Sequence, residues 1–266
     1  MSHPTRIAIH GAAGRMGLRL VALTLQDDRL ALAAAIERSG HEQLARDAGF
    51  LAGAPVAGVL LTDAFDLSAA DVLIDFATPA ATRKAIDACV EAGVAMVIGT
   101  TGLTDEDHAA IDKAGESIAV LQAPNMSLGV NLLFALAGRA AKQLGPDYDI
   151  EIVEAHHRFK IDAPSGTALG IAQAICDATG KDINTDVQHG REGDAPRKPG
   201  EIGMHALRLG STVGRHTVSF ASLEEELQLT HIASTRDVFA KGALVAAAWL
   251  AGKPAGRYGM KDVLGL

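Results

Sequence analysis

The sequence predicts an α/β protein in which a doubly wound parallel sheet is followed by a second, α+β domain. In the first half of the chain, short apolar runs alternate with amphipathic stretches, which is the rhythm of repeated strand–helix units. Hydrophobic residues make up 48% of the 266 residues, but aromatic residues only 4%. Ala, Val, Leu and Ile therefore supply the core, which favours helices packed on a parallel sheet. The length suits roughly two domains of about 100–150 residues.

The first half predicts five strands, separated by helices and loops. Thr78-Pro79 has the pattern of an N-cap followed by a proline at the first helical position, and Gly93 is a typical helix end. Thr104 with Asp107 resembles a capping pair. The predicted strands are Arg6–Ile9, Leu30–Ile36, Val72–Phe76, Ala95–Ile98 and Ile118–Leu121, and a helix is predicted from about Gly14 to Gln26.

The strand–helix rhythm changes near Asn125, where we place the start of the second domain. Ser165 is a good cap for a helix that runs to about Ala178, and Lys181–Gly203, rich in Gly, Pro and charge, is predicted to be a mobile loop. We expect the final helix to return to the first domain, so that residues 1–126 with 236–266 form one domain and residues 127–235 the other. The other predicted elements are helices at Leu128–Leu144 and about Arg236–Ala251 and strands at Asp149–Ala155, His205–Leu209, His216–Phe220 and Glu226–His231.

Charge and cysteine content limit the classes of partner and compartment. The net charge of −8 argues against a nucleic-acid partner, because nucleic-acid binders usually present a basic face. The two cysteines, Cys89 and Cys176, lack metal-ligand spacing and are expected to be small buried thiols. No signal peptide precedes the first predicted strand, and no apolar run reaches the roughly 18 residues of a membrane helix. We therefore predict a cytoplasmic protein with neither a nucleic-acid nor a membrane partner.

A glycine loop follows the first predicted strand. Gly11–Gly17 has the spacing G-x-x-G-x-x-G, which permits a tight turn, close approach of a pyrophosphate and close packing of the next helix. An acid, Glu37, lies 20 residues after Gly17 at the end of the second strand, where it can bind ribose hydroxyls, and Arg38 can pair with a 2′-phosphate. Gly99–Gly102 follows another strand end. An ordinary turn remains the alternative for each loop, but together they indicate NADH or NADPH binding.

A cationic segment, defined as His156–Lys160, stands out in this acidic chain. It holds four potential cations in five positions, and Ser165-Gly166-Thr167 then opens a helix. Such a helix start beside positive charge suits a small dianion, and histidine transfers protons near neutral pH. Phe159 and Ile161 suggest that the segment is partly packed.

Three other interpretations of this segment remain open. A metal site lacks a carboxylate or cysteine at typical ligand spacing, and a Ser-His-Asp hydrolase lacks the G-x-S-x-G elbow around Ser165. The third alternative is a charged surface loop without a function.

The segment Glu154–Ala168 resembles the signature of the 4-hydroxy-tetrahydrodipicolinate reductase family, also called dihydrodipicolinate reductases. The signature reads E-x-H-H-x-x-K-x-D-x-P-S-G-T-A, and every specified position is matched. The resemblance covers nearly the whole chain, and its other matching stretches are Gly11–Gly17, Glu37-Arg38, Asp75-Phe76, Gly99–Gly102, Ala123–Ser127 and Phe239–Gly242.

This resemblance implies a Rossmann-type nucleotide domain and an α+β domain for substrate binding and oligomerisation, usually in a homotetramer. It implies reduction of 4-hydroxy-tetrahydrodipicolinate to tetrahydrodipicolinate by NADH or NADPH, with loss of water, in lysine and diaminopimelate biosynthesis. No metal is implied.

The resemblance also assigns residues. It makes His156 the proton donor or acceptor and Lys160 a proton donor near a substrate carboxylate. The substrate would be bound by His157, Ser165, Gly166 and Thr167, and the dinucleotide by Gly11, Ala12, Ala13, Gly14, Arg15, Met16, Glu37, Arg38, Gly99, Thr100, Thr101, Ala123, Pro124, Asn125 and Met126.

Two other functions compete with this interpretation. Another small dehydrogenase, such as an aspartate dehydrogenase, would share the glycine loop and could share one catalytic histidine, but it would not need His156-His157 with Lys160 and Ser165-Gly166-Thr167. A non-catalytic NAD(P) sensor would not need the cations of the second domain.

Overall fold

The computed structural model describes residues 3–266, which form two compact units. The first unit takes in the chain up to Ser127 together with Asp237–Leu266, and the second unit is Leu128–Arg236. Each unit has its own sheet, one parallel and one mixed, so the predicted α/β class with a second α+β domain is confirmed.

The first unit begins with strands and helices in alternation. The predicted apolar runs form its strands, and two short elements, a helix and a strand between Ala48 and Thr62, were not predicted. The elements are β1 (Thr5–His10), α1 (Arg15–Thr24), β2 (Leu30–Ile36), α2 (Ala48–Leu51), β3 (Leu61–Thr62), β4 (Val72–Asp75), α3 (Pro79–Ala92), β5 (Ala95–Ile98), α4 (Asp105–Gly115) and β6 (Ala119–Gln122).

The predicted helix ends follow from the local sequence. Thr104 and Asp107 form a capping box at the start of α4, and Gly93 ends α3 in the left-handed conformation, as predicted. Thr78 occupies the N-cap position of α3, but its side chain makes no capping hydrogen bond. The predicted N-cap position and the proline at the helix start are therefore confirmed, and Pro79, with its fixed φ, begins the helix without help from the Thr78 hydroxyl.

The second unit packs two helices against a five-stranded mixed sheet. Large side chains such as Ile152, Ile171 and Phe220 are fully buried between the helices and the sheet. The elements are α5 (Leu128–Leu144), β7 (Asp149–His156), α6 (Gly166–Thr179), β8 (Val187–His189), β9 (Ile202–Arg208), β10 (Gly214–Ala221) and β11 (Glu226–Ala233), and the strand order is β11-β10-β7-β9-β8.

The segment Lys181–Gly203 is not the continuous loop that was predicted. It contains β8 and the start of β9, which pair in parallel. Arg191 and Arg197 within it form ion pairs with Glu151 of β7. Because β8 is short and mostly polar, its position depends on hydrogen bonds to the sheet and not on an apolar pattern, which is why composition alone missed it.

The last part of the chain belongs to the first unit. It comprises α7 (Asp237–Leu250), β12 (Gly256–Tyr258) and α8 (Met260–Leu264). With β12 in place the first sheet has the order β12-β6-β5-β4-β1-β2-β3, and all of its pairs are parallel. The chain leaves β1 toward β2 and resumes on the other side at β4, so the switch point where such sheets bind ligands lies between β1 and β4.

The two cysteines are buried thiols, as predicted. Burial raises the pKa of both Cys89 and Cys176, which keeps them protonated and unreactive. None of the helices within residues 3–266 combines the length and the apolar character needed to cross a membrane.

We expect Gly242→Ala to destabilise the first unit, although alanine is the better helix former by about 1 kcal/mol. Gly242 lies in α7, and a Cβ there would come within 1.7 Å of the carbonyl oxygen of Met126. A backbone atom cannot move aside cheaply, so overpacking should lower the free energy of unfolding by about 2–4 kcal/mol in urea titrations. In Gly259→Ala the new Cβ would meet an atom only at 3.9 Å. This control should change stability by less than about 1 kcal/mol. Equal stability of the two variants would contradict the packing argument.

Candidate active site

The glycine loop connects β1 to α1 at the switch point of the first sheet. Gly11 has φ +75°, and a Cβ on it would lie 2.7 Å from the carbonyl oxygen of Phe76. Only glycine therefore fits where the loop crosses the end of β4. Gly14 and Arg15 are exposed at the start of α1, while Ala12 is buried.

Glu37 lies directly beside the glycine loop. Its carboxylate accepts hydrogen bonds from the backbone N–H of Ala13 at 3.2 Å and of Arg38 at 3.0 Å. The Arg38 side chain is exposed next to it. The structure thus brings the adjacent acidic and basic residues, Glu37 and Arg38, next to the glycine loop, although Glu37 lies 20 residues after Gly17 in the sequence.

A cavity of about 560 Å³ opens at this place. Four of the predicted nucleotide-binding residues contribute to its wall, namely Gly11, Gly14, Glu37 and Arg38. The other wall residues, none of which was predicted to bind the nucleotide, include His10, Ser39, Asp63, Phe65, Phe76 and Lys84. An exposed helix start, a loop that only glycine fits and a partly buried acid are the features that a dinucleotide needs, so the residues present fit this cofactor.

A buried carboxylate, Asp75, organises the loops around the cavity. It ends β4 and accepts hydrogen bonds from the hydroxyls of Thr82 and Thr100, both at 2.7 Å, and its other oxygen lies 2.6 Å from Nδ1 of His10. Thr100 in turn accepts a hydrogen bond from the N–H of Ala77 at 3.0 Å. This network fixes the loop after β5 relative to the loop after β4.

The remaining predicted nucleotide-binding residues follow neighbouring strand ends. Gly99 and Thr100 are buried after β5, and Thr101 is exposed. Residues 123–126 follow β6, whose last residue pairs with the last residue of β5. In this second stretch Ala123 and Met126 are buried, Pro124 is exposed, and the side-chain oxygen of Asn125 accepts a hydrogen bond from the N–H of Ser127 at 2.9 Å. All the predicted loops thus lie at the carboxyl ends of the parallel strands.

In the second unit, the cationic segment is built around buried Glu154. Nδ1 of His156, at the end of β7, lies 2.5 Å from this carboxylate, and Arg208 of β9 donates one hydrogen bond to each of its oxygens at 3.0 Å. The N–H of Ser165 donates a further bond at 3.1 Å. Burial alone raises the pKa of Glu154, but the bonds from Arg208 and His156 outweigh it and the net pKa is lowered. Glu154 is therefore a stable anion that orients His156.

Ser165 caps α6 and connects it to a second buried histidine. Its hydroxyl oxygen accepts a hydrogen bond from the N–H of Ala168 at 3.2 Å and lies 2.9 Å from Nε2 of His216 in β10. The His216 ring is 5.1 Å from the ring of His156, edge to face. Burial, and to a smaller extent the positive charge of His156, lowers the pKa of His216 to about 4. His216 is thus neutral beside His156 near pH 7.

Lys160 is held at the other side of the cationic segment. Its Nζ lies 2.8 Å from both carboxylate oxygens of Asp162. Nε2 of His157 is 3.4 Å from the guanidinium of Arg236. In the first turn of α6, Gly166 is exposed and Thr167 is half-buried.

The expectation that Phe159 and Ile161 pack against the protein is wrong. Phe159 is 79% exposed and Ile161 is 99% exposed. Backbone hydrogen bonds hold the segment instead, from Arg158 to the carbonyl of Gly210 and from Lys160 to that of His157. Apolar residues in a short polar loop therefore misled the prediction.

Sequence reasoning also missed Arg208 and His216. They lie in β9 and β10, the two strands that flank β7, and reach the site only because of the strand register. Neither lies in a motif that indicates this role. The role of Glu154, in contrast, has one local signal. Glu154 lies two residues before His156 in a strand, and the two side chains therefore lie on the same face of the sheet.

The low pKa of His216 predicts a loss of stability in acid. In the unfolded chain this group takes up a proton near pH 6.5, but in the folded protein only near pH 4. The free energy of unfolding should therefore fall as the pH drops from about 6.5 to 4, by up to about 1.4 kcal/mol per pH unit from this group. In urea titrations, the free energy of unfolding of His216→Gln should fall less over this pH range. His189→Gln, which changes an exposed histidine, should show the same fall as the unmodified protein. An identical pH dependence in all three proteins would contradict the assignment.

Family models match almost the whole chain. The model described as "Dihydrodipicolinate reductase, N-terminus" matches residues 5–126, and that described as "Dihydrodipicolinate reductase, C-terminus" matches residues 129–264.

Individual relatives agree with these matches. A 4-hydroxy-tetrahydrodipicolinate reductase of Alkalilimnicola ehrlichii is 49% identical over 98% of this chain and 99% of its own. One of Thiobacillus denitrificans is 49% identical over 98% of each chain. Among solved structures, dipicolinate-bound dihydrodipicolinate reductase from Paenisporosarcina sp. TG-14 has the same fold, with a TM-score of 0.74, 23% identity and coverage of 97% and 98%. Taken together with the geometry above, these matches show that the chain belongs to the dihydrodipicolinate reductase family.

Proposed function

We propose that this protein reduces 4-hydroxy-tetrahydrodipicolinate to tetrahydrodipicolinate, with loss of water, using NADH or NADPH, in lysine and diaminopimelate biosynthesis. The observation that carries the proposal is the orientation of His156 by the buried carboxylate of Glu154, which also accepts a hydrogen bond from Ser165, the N-cap residue of α6. Relatives at 49% identity over nearly the full length bear the name of this activity.

The substrate is a small ring with two carboxylates, and the second unit offers matching charge. Lys160 supplies an ammonium group, and α6 begins at exposed Gly166, where the helix dipole favours an anion. His157 and Thr167 complete the predicted binding set. A dianion is a poor ligand for a protein of net charge −8 unless cations are gathered locally, as they are here.

The bound nucleotide supplies the hydride. Loss of water from the ring leaves a conjugated imine, and hydride addition at one end puts negative charge on the adjacent carbon, which must be protonated. His156 is suited to deliver this proton, because Glu154 holds its Nδ1 and leaves Nε2 to act. A Cβ on Gly214 would lie 3.2 Å from this Nε2, so glycine keeps the space beside it clear.

The first unit holds the nucleotide in this proposal. The glycine loop and the start of α1 receive the pyrophosphate, Glu37 accepts hydrogen bonds from ribose hydroxyls, and Arg38 pairs with the 2′-phosphate of NADPH. Thr100 is kept in place by Asp75, as described above, which supports a role for the loop after β5 at the nicotinamide end.

We further propose that the protein is a homotetramer in the cytoplasm. The face of the second sheet that points away from α5 and α6 carries exposed Val153, Leu207 and Ile232, which supports association through this face. Sedimentation equilibrium should give four times the mass of one chain, and a single-chain mass at micromolar concentration would contradict this part of the proposal.

His156→Ala should lower kcat about 10²–10⁴-fold, because it removes the proton donor. Lys160→Ala should lower kcat/KM about 10–100-fold through lost charge-assisted binding. The assay follows NADPH and NADH absorbance while a synthase generates the unstable ring in the same cuvette.

The matched control for these variants is Arg158→Ala, which removes an exposed cation from the same segment and should change either constant less than about threefold. Substrate-independent oxidation, or full activity of His156→Ala, would contradict the proposed function.

Arg38→Ala should weaken NADPH binding about 10–100-fold and leave NADH binding nearly unchanged, because only NADPH carries the 2′-phosphate. Isothermal titration calorimetry with each nucleotide measures both constants. Arg29→Ala, which removes an exposed arginine at the opposite end of β2, is the control. Equal weakening of the binding of both nucleotides would mean that Arg38 does not bind the 2′-phosphate.

A further inference from the structure

His216 is the buried residue whose hydrogen bonding the proposed mechanism leaves unexplained. It is 3% exposed, its Nε2 lies 2.9 Å from the hydroxyl oxygen of Ser165, and its Nδ1 is buried without a partner among residues 3–266. A neutral imidazole carries one proton, so one of its two nitrogens is a donor and the other an acceptor. The tautomer of His216, that is, which ring nitrogen carries the proton, therefore determines the group to which the Ser165 hydroxyl donates its hydrogen bond.

The proton count at Ser165 separates the two tautomers. Its oxygen already accepts the N–H of Ala168 as the cap of α6. If the His216 proton is on Nδ1, the hydroxyl must give its only proton to Nε2, and the oxygen can then offer nothing to an anion. If the proton is on Nε2, the oxygen accepts from both His216 and Ala168, and the hydroxyl proton is available to a third group.

The unpartnered Nδ1 favours the second arrangement. A buried N–H without an acceptor loses a strong hydrogen bond to water, at a cost of about 1–3 kcal/mol, and such orphan donors are rare in proteins. With the proton on Nε2, the donor is satisfied by Ser165 and only a lone pair remains unmatched.

We infer that His216 carries its proton on Nε2 and donates it to Ser165, so that the Ser165 hydroxyl is directed to a carboxylate of the substrate at the start of α6. This makes His216 a positioning residue that acts through Ser165. The inference rests on the proposed function, because it needs an anionic ligand at this helix end. Successive donation from His216 to Ser165 to the carboxylate polarises each bond and strengthens the next.

The positioning role of His216 depends on its neutral imidazole. Burial is the main cause of its low pKa, and among the groups that face it His156 on β7, His231 on β11 and Lys160 lower the pKa further, whereas Glu154 on β7 opposes them. A second imidazolium 5.1 Å from His156 would oppose protonation of the proton donor itself. His216 therefore organises the site without competing for the proton.

The direct test is the nitrogen-15 NMR spectrum of histidine-labelled unmodified protein near pH 7, with the His216 signals assigned by their loss in His216→Gln. We expect a proton on Nε2 and a bare Nδ1. The opposite tautomer would overturn the inference without touching the proposed function, since no activity is measured.

The second test is a double-mutant cycle on binding of pyridine-2,6-dicarboxylate, a stable planar ring dicarboxylate, by calorimetry. His216→Leu and Ser165→Ala should each raise Kd about tenfold, and the double variant should be no worse than either, because both remove one shared bond. His216→Gln, which keeps an N–H donor, should bind within about threefold of the unmodified protein.

Additive losses in the cycle, or equal losses in His216→Gln and His216→Leu, would indicate a structural role only and overturn the inference. If His216→Leu fails to fold, the spectrum and His216→Gln still decide. Failure of the unmodified protein to oxidise NADPH with the ring substrate would instead remove the proposed function and leave the tautomer result standing.

Discussion

The second unit depends on one buried carboxylate, that of Glu154. A buried carboxylate is unfavourable by several kcal/mol unless donors surround it, so its partners cannot move independently. Here the donors come from β7, β9 and the N-cap of α6, through His156, Arg208 and Ser165. Because loss of any donor would leave the carboxylate of Glu154 buried and incompletely paired, the imidazole of His156 is held in place relative to the start of α6. A proton donor beside an anion site requires this geometry.

The first unit uses the same principle at Asp75. This residue is fully buried at the end of β4, and His10, Thr82 and Thr100 surround it. The neighbouring strands are apolar and closely packed, so they hold this polar network at the carboxyl end of the sheet and allow its side chains little movement. In both units a buried carboxylate at or near the carboxyl end of a strand, Asp75 in β4 and Glu154 in β7, thus holds the functional loop in place.

Much of the fold was predictable because its signals are local. Continuous apolar runs identified the buried parallel strands, and Gly93 and the Thr104–Asp107 pair identified helix ends. β8 and β12 are too short and polar to give such signals. They are stabilised instead by pairing with β9 and β6, which lie elsewhere in the sequence. Exposure of Phe159 and Ile161 shows the converse error, since apolar side chains in a loop do not have to pack.

The candidate site was predictable only in part for the same reason. His156, Lys160 and Ser165 lie in one contiguous segment, so spacing could identify them, whereas Arg208 and His216 enter through the register of neighbouring strands. Likewise His10 and Asp75 are opposite each other in β1 and β4, which a sequence separation of 65 residues conceals.

Whether the buried carboxylate of Glu154 organises the active site is decided by steady-state reduction of the ring substrate by Glu154→Gln, with Glu151→Gln as its control. Glu151 is a glutamate of the same strand that also holds several partners, Arg191, Arg197 and His205, but on the opposite face of the sheet. We predict that Glu154→Gln lowers kcat about 10–100-fold with unchanged NADPH binding, because the imidazole loses its charged partner, while Glu151→Gln keeps nearly full turnover. Equal turnover of the two variants would contradict the claim that the buried carboxylate of Glu154 organises the active site.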